Sequence, residues 1–283
     1  MHVYLNGHYV PARDASISPL DRGFLFGDGI YEVVRGFDGK LVEAERHWAR
    51  LARSLKETRI AHPFSGSGDA VSELALRLME ENGLMRGHAL VYLQVTRGTA
   101  TPRTHHFPPA GTVPTVYANA AAFTPPDGAR IAGVPVILLP DERWSRCDIK
   151  SVNLLPNTMA KQLAVEAGAW EAFLVRDNVI TEGTASNAFA VIGGELRTHP
   201  ASGAILGGVT KDVTLEVARA LGIAVVERAF TVGELETADE AFLTSTTNDV
   251  MPVVRVDAGM IGSGEPGVVT RRISDAVRGR LYG

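Results

Sequence analysis

The stretch around which this chain is organised reads Arg146-Cys147-Asp148-Ile149-Lys150-Ser151-Val152-Asn153-Leu154-Leu155. Its lysine stands between an apolar residue and a run rich in Val and Leu, an unusual place for a charge that serves only solubility. A desolvated lysine amine loses its proton more readily than an exposed one and can form a Schiff base, which arginine cannot do. The stretch alone still favours a plainer interpretation, in which the Lys150 stem lies on apolar surface and its amine reaches water.

The composition excludes several classes of protein. The 283 residues are 45% apolar and 21% charged, which is ordinary for a globular chain long enough for two domains. The net charge of −4 and the lack of a basic block argue against a nucleic-acid partner. No apolar run approaches the length of a membrane span, and the first residues do not resemble a signal peptide. Because Cys147 is the only cysteine, we expect a soluble protein of the reducing cytoplasm.

Alternating and helical patterns predict a mixed α/β protein with a small first domain, a linker and a larger second domain, covering 1–119, 120–128 and 129–283. In the first domain a hairpin is expected around Asn6-Gly7, which readily adopts the positive φ angles of a tight turn. The predicted strands cover 30–37, 89–96 and 115–118, and the predicted helices cover 43–58 and 69–81. The linker is rich in Pro and Gly. In the second domain the main predicted strands cover 134–139, 171–175, 179–191 and 240–243, with a helix at 158–167.

Three side chains on these elements are candidates for a site. Tyr31 shares one face of its predicted strand with Val33, and a core tyrosine with a satisfied hydroxyl explains it equally well. Glu182 places a carboxylate between apolar strands, where it needs a cation or an N–H donor, although an exposed turn glutamate is an equally good explanation. Arg50 lies beside the apolar stripe of helix 43–58 and could reach inward, but such charges usually flank the stripe in water.

The loop between strands 89–96 and 115–118 concentrates cationic side chains. Arg103 and His105 suit the binding of a carboxylate, because the guanidinium offers a planar fork of donors and the imidazole one more. Adjacent histidines in an extended loop point in different directions, and no Glu or Cys at zinc-site spacing stands nearby. His105-His106 therefore do not predict a metal site. A polar surface loop is the alternative.

Two turns suit a phosphate group. Gly207-Gly208 precede a helix with Thr210 as its predicted N-cap, so free backbone N–H groups and a hydroxyl meet at the positive end of the helix dipole. A hydroxyl-rich turn at 244–249 follows the strand 240–243. Many helices begin in this way, so each turn is weak evidence by itself, but both could converge on one phosphate.

Together these candidates fit pyridoxal 5'-phosphate. The aldehyde of this cofactor needs a lysine, its ring nitrogen needs an acidic partner and its phosphate needs an anion site. The sequence has no Walker A pattern and no strand-linked GxGxxG fingerprint that would favour a nucleotide instead.

Several blocks resemble the fold-type IV pyridoxal-phosphate aminotransferases, and within them the D-amino acid aminotransferases. The blocks are Asp21-Arg22-Gly23-Phe24-Leu25-Phe26-Gly27-Asp28-Gly29-Ile30-Tyr31-Glu32, Cys147-Asp148-Ile149-Lys150-Ser151, Thr181-Glu182-Gly183-Thr184-Ala185-Ser186-Asn187 and Ser245-Thr246-Thr247. The similarity runs nearly end to end, and Gln94-Val95-Thr96-Arg97-Gly98 followed by Arg103-Thr104-His105 resembles the carboxylate-binding loop of that branch. The resemblance implies a two-domain fold, with a small N-terminal α+β domain and a larger C-terminal domain around a barrel-like sheet.

The resemblance also implies a role for each candidate. Lys150 would form the Schiff base and move the proton, and Glu182 would pair with the ring nitrogen. The residues implied to hold the rest of the cofactor are Arg50, Val209, Thr210 and Thr246 at the phosphate and Leu206 under the ring. The residues implied to bind substrate are Tyr31, Val33, Arg103, His105 and Thr247. Arg103 and His105 would reach in from the partner subunit of a homodimer with active sites at its interface.

The implied reaction is amino transfer between a D-amino acid such as D-alanine and a 2-oxo acid such as 2-oxoglutarate or pyruvate. Branched-chain aminotransferases usually carry a tyrosine where Leu155 stands, which argues against that branch. Ala185 replaces a serine frequent in the D-amino acid enzymes, and the loop 98–103 is one residue longer than usual. An (R)-amine transaminase, an aminodeoxychorismate lyase of the same fold and a non-catalytic cofactor-binding protein stay open as alternatives.

Overall fold

The computed structural model describes residues 1–64 and 66–283, and the described chain divides into two compact units. The first unit contains Met1–Thr124 and Ile149–Asn153, and the second contains Pro125–Asp148 and Leu154–Gly283. Lys150 therefore belongs to the first unit, although the sequence placed it in a second domain at 129–283. The reason is backbone pairing: the Tyr31 N–H donates to the Lys150 carbonyl at 2.9 Å, and the Val152 N–H donates to the Gly29 carbonyl at 3.0 Å.

The first unit is built on an antiparallel sheet with helices on one face. Its elements in chain order are β1 (His2–Leu5), β2 (His8–Pro11), α1 (Arg22–Phe26), β3 (Gly29–Phe37), β4 (Lys40–Leu41), α2 (Ala44–Thr58), α3 (Gly68–Glu81), β5 (His88–Thr96) and β6 (Thr115–Ala122). The strand order is β2-β1-β6-β5-β3-β4. The hairpin prediction is confirmed, because Asn6 and Gly7 join β1 to β2 with φ angles of 47° and 95°.

Strand β6 is longer than the sequence predicted. Its register with β5 runs from Thr96↔Thr115 to Ala89↔Ala122, so the first residues of the predicted linker 120–128 belong to the sheet. The end of that segment belongs to a helix that begins at Asp127. The pairing with β5 explains the difference, because Ala118 and Ala120 of β6 pack into the core, whereas the Pro and Gly that follow suggest a linker.

The alternation of β3 decides which side chains face the helices. Ile30, Glu32 and Val34 are buried, and Tyr31 and Val33 are half-buried on the other face. The core side is filled by the apolar stripe of α2, including Leu51 and Leu55, and by α3. Glu32 is thus a carboxylate in a hydrophobic core and must be compensated there.

The second unit is built on a mixed sheet. Its elements in chain order are α4 (Asp127–Ala132), β7 (Val134–Pro140), α5 (Leu155–Glu166), β8 (Glu171–Arg176), β9 (Val179–Gly183), β10 (Asn187–Ile192), β11 (Glu195–Thr198), α6 (Val209–Ala220), β12 (Ala224–Val226), α7 (Val232–Glu236), β13 (Glu240–Ser245), β14 (Asp249–Val256), β15 (Gly259–Met260) and α8 (Val268–Tyr282). The order of the strands is β12-β11-β10-β13-β14-β7-β8-β9, and β15 pairs with β14.

The sheet of the second unit curls back on itself. Strand β9, the last in the strand order, also lies against β10. The strands from β10 to β9 therefore curve round until the last of them meets the first. Helices α6 and α8 cover this sheet through an apolar cluster that includes Val213, Phe242 and Ile273. The predicted mixed α/β class and the barrel-like sheet are confirmed.

None of the helices in residues 1–64 and 66–283 combines the length and the apolar character needed to cross a membrane.

Candidate active site

Lys150 is held by its backbone and is half-buried. Its N–H donates to Ser54 Oγ of α2 at 3.4 Å, and its carbonyl accepts from the Tyr31 N–H of β3 at 2.9 Å. Its Nζ lies 4.2 Å from the centre of the Tyr31 ring. The predicted lysine and the predicted substrate tyrosine are therefore neighbours, because β3 and the 149–153 segment are paired.

Arg50 reaches inward, although a charge beside an apolar stripe usually lies in water, and bonds to a carboxylate that the sequence reasoning missed. Its Nε donates to Glu32 Oε1 at 2.6 Å and its Nη2 to Glu32 Oε2 at 2.9 Å. His47 Nδ1 lies 2.8 Å from the same Oε2. Burial alone would raise the pKa of Glu32, but Arg50 and His47 lower it to about 2. Burial also lowers the pKa of His47 against the attraction of Glu32.

The half-buried face of β3 carries a group of aromatic rings. The Tyr31 and Tyr92 rings stack with centroids 5.6 Å apart, and Val33 pairs with Tyr92 in the register of β3 and β5. Tyr92 donates to Gln94 Oε1 at 2.7 Å, and burial raises the pKa of Tyr92 to about 12, so its hydroxyl stays protonated. Tyr92 was not predicted. The available signal was the alternation of the predicted strand 89–96, which puts Tyr92 and Gln94 on the face away from the core.

Arg103 and His105 are both exposed and share one aromatic neighbour. The guanidinium carbon of Arg103 lies 4.3 Å from the centre of the Phe26 ring, and the His105 ring centroid lies 5.6 Å from it. The first unit thus brings the two predicted carboxylate-binding side chains together at the end of α1.

Glu182 of β9 is buried in the second unit and meets the N–H donors that the sequence analysis required. Arg143 Nη1 donates to its Oε1, the Leu206 N–H donates to both oxygens at 3.1 Å, and Asn187 Nδ2 donates to Oε2 at 2.9 Å. Arg143 is shared with Asp141, to which its Nε and Nη2 donate at 2.9 Å. Burial raises the pKa of Glu182 to about 7 against the opposing effect of Arg143.

The N-terminus of α6 differs from the prediction in its capping residue. Gly208 is the N-cap and Thr210 lies inside the helix, so the assignment of Thr210 as N-cap is wrong. A side chain at Gly208 would collide with Asn187 Oδ1, which is why the chain has a glycine there. No side chain of the described residues caps α6. The N–H groups of Val209 and Thr210 are among those that a helix leaves for an anion.

The hydroxyl-rich turn after β13 lies beside the same asparagine. Thr244 pairs with Asn187 in the register of β10 and β13, and Asn187 Nδ2 also donates to the Leu206 carbonyl at 2.9 Å. Thr244 Oγ1 is buried and has no hydrogen-bond partner within residues 1–64 and 66–283. Thr246 and Thr247 are half-buried in the turn, and Ser245 Oγ lies 3.2 Å from Thr247 Oγ1. Asn187 therefore connects the two predicted phosphate-binding turns.

The donor set of the second unit fits pyridoxal phosphate. Its ring nitrogen would meet Glu182, a buried carboxylate with less counter-charge than it needs. Its phosphate would meet the N-terminus of α6 and the Thr246 turn. Lys150, Arg50, Tyr31, Val33, Arg103 and His105 all belong to the first unit, and Glu182, Leu206, Val209, Thr210, Thr246 and Thr247 to the second.

Comparison with known proteins gives consistent matches. Residues 29–256 match the family described as Amino-transferase class IV. The D-alanine aminotransferase of Bacillus licheniformis is 41% identical over 281 residues, 99% of this chain and 97% of that protein. The D-alanine aminotransferase of Staphylococcus epidermidis is 40% identical over 271 residues, 96% of this chain and 94% of that protein. Among solved structures, the branched-chain amino acid aminotransferase of Escherichia coli has a TM-score of 0.88 at 26% identity, covering 100% of this chain and 95% of that one.

Proposed function

The chain belongs to the class IV aminotransferases, which use pyridoxal phosphate, and on that premise we propose that it transfers the amino group of a D-amino acid to a 2-oxo acid. D-Alanine is the proposed donor and 2-oxoglutarate or pyruvate the proposed acceptor. The observation that carries this choice is the identity of 40–41% to D-alanine aminotransferases over nearly the whole chain. The branched-chain enzyme shares the fold at 26% identity, and Leu155, 71% exposed, stands where that branch usually has a tyrosine.

Lys150 is the proposed catalytic residue. When bound, pyridoxal phosphate supplies an aldehyde for the lysine and a ring that accepts the electron pair left by the departing proton. The Lys150 amine would take the proton from the substrate Cα as a base and then, as an acid, give it to the carbon that was the cofactor aldehyde. The backbone bonds of residues 149–153 to β3 and α2 fix where this amine begins.

The other polar residues hold the cofactor in this proposal. Glu182 accepts from the ring N–H, and Arg143 keeps the carboxylate in place. Val209, Thr210 and Thr246 bind the phosphate, with Arg50 as a further cation and Leu206 under the ring. The orphaned Thr244 hydroxyl and the uncapped N-terminus of α6 support this assignment.

Most of the proposed substrate contacts come from the first unit, and Thr247 comes from the second. Tyr31, Arg103 and His105 bind the substrate carboxylate, and Val33 and Thr247 line the substrate side of the site. We place Arg103 and His105 in the site of the partner subunit of a homodimer, because both side chains are exposed in the single chain. The single cysteine and the charge balance support a cytoplasmic enzyme.

Replacing Lys150 tests this function. Lys150→Ala should abolish pyruvate formation from D-alanine and 2-oxoglutarate and remove the visible absorbance band of the lysine-bound cofactor. Lys40→Ala, at an exposed position of β4, is the matched control and should keep both. Wild-type turnover in Lys150→Ala would overturn the assignment.

A further inference from the structure

A buried arginine, Arg22, connects α1 to the loop that carries Arg103 and His105. Only 4% of the Arg22 surface is exposed. Its Nη1 donates to the Thr104 carbonyl at 2.7 Å, and its Nη2 donates to the His105 carbonyl at 3.4 Å. One bond therefore goes to His105, a proposed carboxylate-binding residue, and the other goes to Thr104, which lies between Arg103 and His105 in the chain.

Asp28 fixes the orientation of Arg22. The Arg22 Nε donates to Asp28 Oδ2 at 2.8 Å, and Arg97 donates to both Asp28 oxygens at 2.8 and 2.9 Å. Burial alone would raise the pKa of Asp28, but the hydrogen bonds from Arg97 and Arg22 lower it, so this carboxylate is ionised at neutral pH. One edge of the Arg22 guanidinium is thus held by a charge while the other edge faces the loop.

The Phe26 ring gives a second connection between α1 and the loop. The guanidinium carbon of Arg22 lies 4.7 Å from its centre and that of Arg103 lies 4.3 Å from it. Arg22 and Phe26 are four residues apart in α1 and so share one helix face. The loop is held through its carbonyls by Arg22 and through its side chains by Phe26.

Ordering an exposed loop is costly. Fixing the backbone costs roughly 1–2 kcal/mol per residue, and a substrate that has to order Arg103 and His105 would lose that much of its binding energy. A loop already held in place avoids this loss. Arg22 has the contacts needed for this: two donors on the loop, a charged anchor behind it and almost no exposure.

We propose that Arg22, fixed by Asp28, is a positioning residue for the substrate carboxylate, holding the loop so that Arg103 and His105 meet their ligand without reordering. This inference rests on the proposed function of Arg103 and His105. Arg22 itself touches neither substrate nor cofactor in this account.

The test is a double-mutant cycle on the holoenzyme, with D-alanine and 2-oxoglutarate as substrates. Arg22→Gln should raise KM for both about tenfold, the equivalent of one charged hydrogen bond, with kcat and the visible spectrum of the cofactor unchanged. Arg103→Ala should raise KM at least as much. In the double variant KM should rise by less than the product of the two single effects, because Arg22 acts in part through Arg103 and in part through His105.

Arg22→Lys keeps a cation beside Asp28 but cannot reach Asp28 and both carbonyls together. It should keep the thermal midpoint near that of the wild type while still raising KM, so it replaces Arg22→Gln in the cycle if the glutamine variant does not fold. Arg13→Gln, with a side chain 86% exposed, is the control and should leave KM unchanged.

The outcomes separate this inference from the proposed function. If Arg103→Ala raises KM but neither Arg22 variant does, or if their effects simply add, the positioning role is wrong. A fall in kcat at unchanged KM would also overturn it. If wild-type enzyme does not turn over D-alanine, or Arg103→Ala keeps the wild-type KM, the proposed function itself fails.

Discussion

Glu32 in the first unit and Glu182 in the second are both buried glutamates bonded to an arginine, yet burial and charge shift their pKa values in opposite directions. The pKa of Glu32 falls to about 2 and that of Glu182 rises to about 7. Desolvation opposes ionisation at both sites, so the difference lies in the partners. Glu32 receives two hydrogen bonds from Arg50 and one contact from His47. Glu182 receives one bond from a cation, Arg143, which also pairs with Asp141; its other donors, the Leu206 N–H and Asn187 Nδ2, are neutral.

The surroundings of Glu182 support its proposed role in binding the cofactor. Asp141 adds a second negative charge beside Glu182, and Arg143 is divided between them. A further cationic N–H would relieve the deficit, and the ring nitrogen of pyridoxal phosphate is such a group. Glu32 has no comparable deficit, because its charge is met within the first unit, and we interpret it as a structural anchor for Arg50.

Removing the arginine from each pair should have the largest effect. Arg143→Met leaves Glu182 without its cation, while Asp141 keeps Arg176 at 3.1 Å. We expect a loss of about 3–5 kcal/mol in the free energy of unfolding of the apo-protein. Arg50→Met should cost less, about 1.5–3 kcal/mol, because His47 remains beside Glu32. Urea denaturation measures both.

Arg13→Met is the control for these variants, because the Arg13 side chain is 86% exposed and pairs at the surface with Asp14. Its effect should stay within about 0.5 kcal/mol. A larger loss in Arg50→Met than in Arg143→Met would contradict the claim that Glu182 is the less compensated carboxylate.

The pH dependence of the free energy of unfolding tests the same comparison, and its expected effect is somewhat smaller than that of removing the arginines. The folded-state pKa of Glu182 is raised from 4.5 to about 7, so its contribution to stability is present below pH 4.5 and is lost as the pH rises through about 7. The pKa of Glu32 is lowered from 4.5 to about 2, so its contribution is present above pH 4.5 and is lost as the pH falls through about 2. Each shift corresponds to ~3 kcal/mol.

The measurement compares urea unfolding of apo wild type with Glu182→Gln and Glu32→Gln. Relative to Glu182→Gln, wild type should lose ~3 kcal/mol between pH 4.5 and 8. Relative to Glu32→Gln, it should lose stability toward acid pH instead. Saturation with pyridoxal phosphate should reduce the first loss, because the ring N–H favours the ionised carboxylate. The same direction of change for both glutamates would refute the comparison.

The sequence identifies Glu182 as a candidate site residue but does not identify Glu32. Glu182 was expected to need a cationic or N–H partner because it interrupts apolar strands, but Arg143 could not be identified, since 39 residues separate the two and only the folded sheet joins them. Glu32, the neighbour of Tyr31, is not identified as a candidate from the sequence. Its signal was available: strand alternation puts it on the core side, where α2 presents His47 and Arg50 three residues apart.

Local sequence patterns predict which segments form helices and strands better than they predict where each element ends or to which unit it belongs. The hairpin at Asn6-Gly7 follows from two residues. The cap at Gly208 depends on the distant Asn187, which no helix-start pattern contains. The assignment of Lys150 to the first unit depends on pairing with β3, more than 100 residues earlier in the chain. Such long-range backbone pairing leaves no periodic signal in the sequence.

The most direct test of the central claim is a visible spectrum of the holoenzyme recorded while L-alanine and then D-alanine are added. We predict that L-alanine leaves the absorbance band of the lysine-bound cofactor unchanged, and that D-alanine converts it until pyruvate or 2-oxoglutarate restores it. Conversion by L-alanine with no response to D-alanine would contradict the proposed function.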